Sequence, residues 1–317
     1  MTQWKIATCA IVGLITLLTP VTFAAFNDIG VGARPLGLGG AFVALADDGN
    51  AANYNAAGLG YIDKVHVGLT TTQQFKGLIT YNYVGGVLPL AAAGTLGASV
   101  GILGEDSKIY NERTLTLSYG KTFSQKFALG LNLKSLGTSF DEANESVSTN
   151  PYFAKTSASA LSLDLGVMAK PVTGLSLGLS AENLAPANVS ISESGEDNVP
   201  TNIRVGLAYS LAAIAESTQQ AALRDVLKSG LGLLEISFRD GASQIHAGAE
   251  VWLNQSIGVR AGYAVKSGVN SATSIAVGAS VKLPMSLLNL QLDYAFHILT
   301  GDFEDNTTQR ISLNLIF

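Results

Sequence analysis

Leu288-Asn-Leu-Gln-Leu-Asp-Tyr-Ala-Phe-His-Ile298 is the stretch that decides how this chain folds. Leu288, Leu290, Leu292, Tyr294, Phe296 and Ile298 alternate with Asn289, Gln291, Asp293, Ala295 and His297. A period of two belongs to a β-strand, because successive side chains leave opposite faces of the sheet. Phe127, Leu129, Leu131 and Leu133 alternate in the same way with Ala128, Gly130, Asn132 and Lys134.

Working outward from these two segments, alternation between turn signals gives 14 candidate strands from Lys64 to Phe317. The other twelve are expected to begin near Lys64, Leu78, Gly94, Asn111, Ser157, Gly174, Thr201, Leu231, Ser243, Gln255, Ser271 and Thr307. Apolar residues make up 47% of the chain and charged ones only 14%, a composition greasy enough for a membrane. After residue 25, however, no run approaches the roughly 20 apolar residues that a spanning helix needs. Such a chain crosses a bilayer as a closed ring of strands, in which every backbone polar group is paired. The expected fold is therefore all-β, an antiparallel transmembrane β-barrel of about 14 strands.

Connections should alternate between long external loops and short periplasmic turns, with both termini periplasmic. The stretches 105–110, 140–156, 185–200, 266–270 and 299–306 fall on the external side, and 91–93, 171–173 and 284–286 on the other. Leu211–Gly230 breaks the pattern. Its Ala212, Ile214, Ala215, Ala222, Leu223, Val226 and Leu227 have helical spacing closed by Gly230, so a short periplasmic helix is expected there.

The chain opens like an export signal, with Lys5, an apolar core from Ile6 to Leu18, and Thr22-Phe23-Ala24 as a small-x-small cleavage site. Three segments follow: a signal peptide over 1–24 with the cut after Ala24, an N-terminal segment over 25–62, and the barrel over 63–317. The lone cysteine, Cys9, lies in the signal, so the mature chain is expected to have no disulfide, thiolate metal site or cysteine nucleophile. A net charge of −5 with no basic run excludes the phosphate-neutralising surface that nucleic acid needs.

Projected onto the strands, Asp164, Glu182, Glu235, Glu250 and Asp293 share the polar face with Lys134, Arg204, Arg239, Arg260 and Arg310. A Lys or Arg on the lipid face would cost about 2–4 kcal/mol near the bilayer midplane, so this face is expected to be the lumen. Five acids and five bases read as paired charges tying the interior to the wall. A selective ion pathway is the weaker reading, since neither sign dominates.

Gly97-Ala-Ser99-Val-Gly101 has the G-x-S-x-G spacing of a hydrolase nucleophile elbow, which requires a strand-turn-helix. Here it falls inside a strand, and His66, His246 and His297 lie on different strands in no triad order. No enzyme and no cofactor are expected. Asp47, Asp48 and Asn50 lack the spacing of a calcium loop and are read as capping or wall-bonding residues.

The segment before the barrel contains Gly32-Ala-Arg34, Gly39-Gly-Ala-Phe42, Ala46-Asp-Asp48 and Asn55-Ala-Ala-Gly-Leu59. With these motifs the chain resembles the FadL-like outer-membrane proteins, and within them the PorV/PorQ group. The likeness extends through Ala181-Glu-Asn-Leu184, His246 to Asn254, Val259-Arg-Ala-Gly-Tyr263, Leu290 to Phe296 and the C-terminus. Where that group has proline this chain has Ala56, so a looser turn is expected. The resemblance implies that residues 25–62 fold into the barrel as a hatch. Arg34, Asp47, Asp48 and Asn55 would belong to it, and its apolar Leu36, Leu38, Phe42 and Leu45 would either line a path for a greasy ligand or pack as a plug.

The closing Ile311, Leu313, Leu315 and Phe317 resemble the C-terminal signal read by the outer-membrane assembly machinery. That machinery and outer-membrane lipid are the expected partners. The function implied is passage of small hydrophobic molecules across the bacterial outer membrane. The alternative is a PorV-like component of protein secretion that binds partner or cargo proteins.

Overall fold

The computed structural model describes residues 25–193, 195–268, 271–301 and 306–317, and the expected export signal lies outside them. Fourteen antiparallel strands close into one barrel, each paired with its sequence neighbour. They are β1 (His66–Gln74), β2 (Ile79–Pro89), β3 (Thr95–Glu105), β4 (Tyr110–Ser124), β5 (Phe127–Phe140), β6 (Ser157–Val172) and β7 (Leu175–Glu182). β8 (Asn202–Ser210), β9 (Leu231–Arg239), β10 (Ala242–Trp252), β11 (Ile257–Ser267), β12 (Ala272–Pro284), β13 (Asn289–Gly301) and β14 (Asn306–Ile316) complete the ring. Each begins within two residues of its expected start, because the alternation that marks a strand ends where its pairing ends. β1 closes the ring against β14, with His66 opposite Ile316 and Gln74 opposite Thr308.

The alternation sorts side chains between two environments. Leu131, Leu133, Leu165, Leu179, Val205, Val277, Leu292 and Ile311 point outward and are exposed on the isolated chain. In a bilayer such a belt meets acyl chains. No helix among the described residues is long and apolar enough to cross a membrane.

The end of the barrel where β1 starts and β14 finishes is here called the near end. Helix α2 (Glu145–Ser148) lies in the far-end loop between β5 and β6. The far end also has a two-residue turn, Asp240-Gly241 between β9 and β10, which departs from the expected long loop. Both residues have positive φ (51° and 70°), the conformation that lets an Asp-Gly pair close a tight hairpin.

At the near end the 211–230 connection forms two helices, α3 (Ala212–Ser217) and α4 (Ala221–Lys228), in place of the single helix expected. Thr218 is extended (φ −87°, ψ 125°). Its hydroxyl and that of Ser217 both bond back to the Ile214 carbonyl, and its own carbonyl accepts two bonds from the Arg224 guanidinium. Side-chain bonding to local backbone competes with a continuous helix.

Residues 25–62 lie inside the ring. They start at the far end, where the Ala25 N–H meets Asp197 of the β7–β8 connection, and leave at the near end into β1. Helix α1 (Ala33–Gly37) packs on β11 to β14, residues 41–46 follow β7 to β9, and the 3₁₀ turns at Ala51–Asn53 and Ala56–Tyr61 lie on β3 to β6.

Candidate functional site: the filled lumen

Two kinds of contact fix this luminal segment. On β4 to β7 four of the inward positions facing it are glycines, Gly120, Gly130, Gly166 and Gly178. A Cβ on Gly130 would sit 2.1 Å from the Ala56 carbonyl carbon, and one on Gly178 would sit 2.2 Å from the Val43 oxygen. Backbone lies directly on backbone at these points, and only glycine permits that approach. Asn55 fastens the seam: its amide donates to the carbonyls of Val43 (2.9 Å) and Val167 (3.0 Å), and its oxygen accepts the Ala57 N–H (3.1 Å). The turn at Ala56, expected to be looser without proline, is thus held by the residue before it.

The second kind of contact is ionic. Arg34 of α1 donates to both oxygens of Glu250 at 2.8 Å, and also to Asp47 (2.5 Å) and Asp48 (3.1 Å). Glu250 is shared with Arg260, 3.3 Å away, which reaches Asp293 at 3.3 Å. Arg204 gathers Glu182 (2.9 Å), Glu235 (2.6 Å) and Asp28. The free oxygen of Glu235 accepts the N–H groups of Phe42 and Val43, both at 2.9 Å. Lys134 pairs with Asp164 at 2.6 Å.

Two inward bases have no carboxylate partner among the described residues. Arg239 donates to the Phe26 carbonyl. Arg310 is fully buried and donates to Thr72 Oγ1 (2.7 Å), Gly32 O (3.2 Å) and Ile29 O (2.6 Å). All ten charges that the sequence placed on the inward face therefore hold the luminal segment, its neighbours or one another.

Between these contacts the near half of the lumen is filled by packed side chains. Leu38, Phe42, Val43 and Leu59 are wholly buried with Met168, Ala128 and Leu233 of the wall. Phe42 meets Tyr54 edge-on with centroids 5.2 Å apart, and Arg34 lies over its ring. Leu45 is half-buried against this core, and Leu36 lines a cavity of ≈ 170 Å³ beside His246, His297 and Arg310. Leu38 and Phe42 line no open passage in this state. The far half holds a larger cavity of ≈ 810 Å³, bounded by Tyr110, Phe140, Val189, Ile191, Arg239 and Lys266.

No protein-family model and no curated protein sequence matches this chain. Among solved structures it is similar to a FadL homologue of Pseudomonas aeruginosa, with TM-score 0.64 and 11% identity over 90% of this chain and 98% of that one. The fold is FadL-like. It is also similar to the toluene transporter TodX of Pseudomonas putida (TM-score 0.58, 12% identity, 92% and 98% covered). The toluene transporter TbuX of Ralstonia pickettii gives TM-score 0.56 and 13% identity, again covering 92% and 98%.

Asp28 carried no sequence signal: it sits in an aperiodic stretch, and only the fold brings it to Arg204, 176 residues away. His246, noted in the sequence but given no role there, has its Nδ1 2.6 Å from the Gly39 carbonyl oxygen and its Nε2 3.3 Å from Ser237 Oγ. Ser99 of the G-x-S-x-G stretch lies in mid-strand opposite Gly85 and Thr116, with no turn or helix after it.

Proposed function

We propose that this chain is a bacterial outer-membrane barrel through which small hydrophobic molecules pass, with residues 25–62 as the hatch and residues 1–24 as a removed export signal. The observation that carries the reading is the asymmetry of the lumen. A ≈ 810 Å³ cavity of mixed lining lies at the far mouth, where Tyr110, Phe140, Val189 and Ile191 stand among Asp28, Asp197, Arg239 and Lys266, and a fully buried apolar core closes the near half. A ligand entering from the far side meets Tyr110, Phe140, Val189 and Ile191 before any packed barrier. Similarity in fold to two proteins described as toluene transporters supports the same reading. The likeness to the PorV/PorQ group rests on the sequence motifs alone.

The test is a reversible lock. The Ala33 N–H lies 2.8 Å from Ser312 Oγ, and the mature chain would contain no cysteine, so Ala33→Cys with Ser312→Cys places one disulfide between hatch and wall. Uptake of labelled toluene is measured in cells expressing the chain and in cells without it. Oxidation should stop the chain-dependent uptake, and reduction should restore it. Wild-type uptake equal to that of cells lacking the chain defeats the transport reading. A stoichiometric protein that co-purifies in mild detergent would then support the secretion role.

A further inference from the structure

The far mouth holds two half-buried carboxylates that no luminal ion pair uses. Asp197 accepts the backbone N–H of Ala25 at 3.1 Å. Glu112 of β4 accepts the next N–H, from Phe26, at 3.0 Å, and the Tyr110 hydroxyl at 2.8 Å. Among the described residues neither has an ion-pair partner, whereas Asp164, Glu182, Glu235, Glu250 and Asp293 each have one. The nearby base Arg239 donates to the Phe26 carbonyl. Two acids thus converge on two successive backbone nitrogens, at the residue where the sequence places the first position after a cleavage site.

We infer that Ala25 is the first residue of the mature chain and that its α-ammonium is the cation this site lacks, clamped by Asp197 and Glu112 once the leader has been removed. The inference rests on the export reading above and is independent of what the barrel conducts. Hydrolysis of the Ala24–Ala25 peptide by a processing peptidase uses one water. The Ala24 carbonyl carbon takes the hydroxyl and leaves as a carboxylate, and the Ala25 nitrogen becomes an amine, which is protonated at neutral pH. An amide N–H offers one hydrogen and no charge. The ammonium offers three hydrogens and a full positive charge, which makes each bond to a carboxylate shorter and stronger. Removal of the leader would therefore anchor the hatch at the far mouth, giving export a structural consequence inside the barrel.

The experiment uses the full chain purified from membranes in mild detergent. Intact mass first shows whether it begins at Ala25. The rate at which 2-pyridinecarboxaldehyde, a reagent selective for free α-amines, labels the N-terminus is then compared between native and denatured protein. A clamped amine reacts only through local opening, so native labelling should be slower by about tenfold or more. The D197N/E112Q double variant should lose most of that protection, and D141N, at an exposed acid of the same mouth, should keep it. Equal native and denatured rates in the wild type overturn the clamp without recourse to any variant. So does full protection in a folded double variant. A mature chain that begins elsewhere defeats the cut itself and is distinguished from failure of the clamp by mass alone.

Discussion

The wall from β4 to β7 and the wall from β10 to β14 hold the same luminal segment by opposite means. On the first side Gly130, Gly166 and Gly178 leave no side chain between strand and segment, and carbonyls and amides lie directly on the wall. On the second, Glu250 reaches across to Arg34 and Arg310 to Gly32 and Ile29, with Arg260 and Asp293 backing Glu250 from within the wall, although Gly248 and Gly262 also admit Leu38 and Gly39 closely. The first seam is set by shape and excludes any added atom. The second is set by charge: a buried pair adds little net stability while intact, yet loss of one partner strands the other in a dry site.

That contrast orders the expected effects of mutation. The largest should follow Glu250→Ala, which leaves Arg260 with Asp293 as its one carboxylate partner among the described residues and removes two of Arg34's bonds. Urea unfolding in detergent should show a loss of about 3–5 kcal/mol, as for other broken buried pairs. If Glu250→Ala is silent, the ionic seam does not hold the segment.

Next comes Gly130→Val, whose Cβ collides with backbone that has nowhere to go. Overpacking of this kind costs about 1–3 kcal/mol. Displacement of the segment should also appear as new conductance in planar bilayers, and unchanged conductance together with unchanged stability would break the comparison. Asn55→Ala, which frees the Val43 and Val167 carbonyls and the Ala57 amide, should cost about 1–2 kcal/mol through buried groups left unbonded.

The smallest effect, and of opposite sign, is expected for Ala56→Pro. Asn55 is already extended (φ −160°, ψ 103°), as a residue before proline prefers, and Ala56 opens a 3₁₀ turn. A gain of about 0.4–1 kcal/mol follows from the stiffer unfolded chain. A loss instead would show that the glycine seam is too tight to admit even a ring closed onto the backbone.

The barrel was legible because its signal is local and repeated. Leu288 to Ile298 alone sets a period of two, and the same period recurs around the ring with strand starts that shift by no more than two residues. The near-end helix was legible in kind but not in number, because the break at Thr218 depends on hydroxyl and guanidinium bonds that spacing does not encode. The inward charges could be assigned to a face but not to partners. Asp28 carries no periodic mark, and nothing in the order of residues pairs it with Arg204.

By itself, then, the sequence determined which residues face outward and which face inward, since that choice depends only on alternation along each strand. Tertiary structure decided what fills the lumen: which glycine lies under which carbonyl, which base meets which acid, and that Glu112 and Asp197 converge on Ala25 and Phe26. Those contacts join positions tens to hundreds of residues apart. They exist only once ring closure has fixed every strand's register and the N-terminal segment has been threaded through the interior.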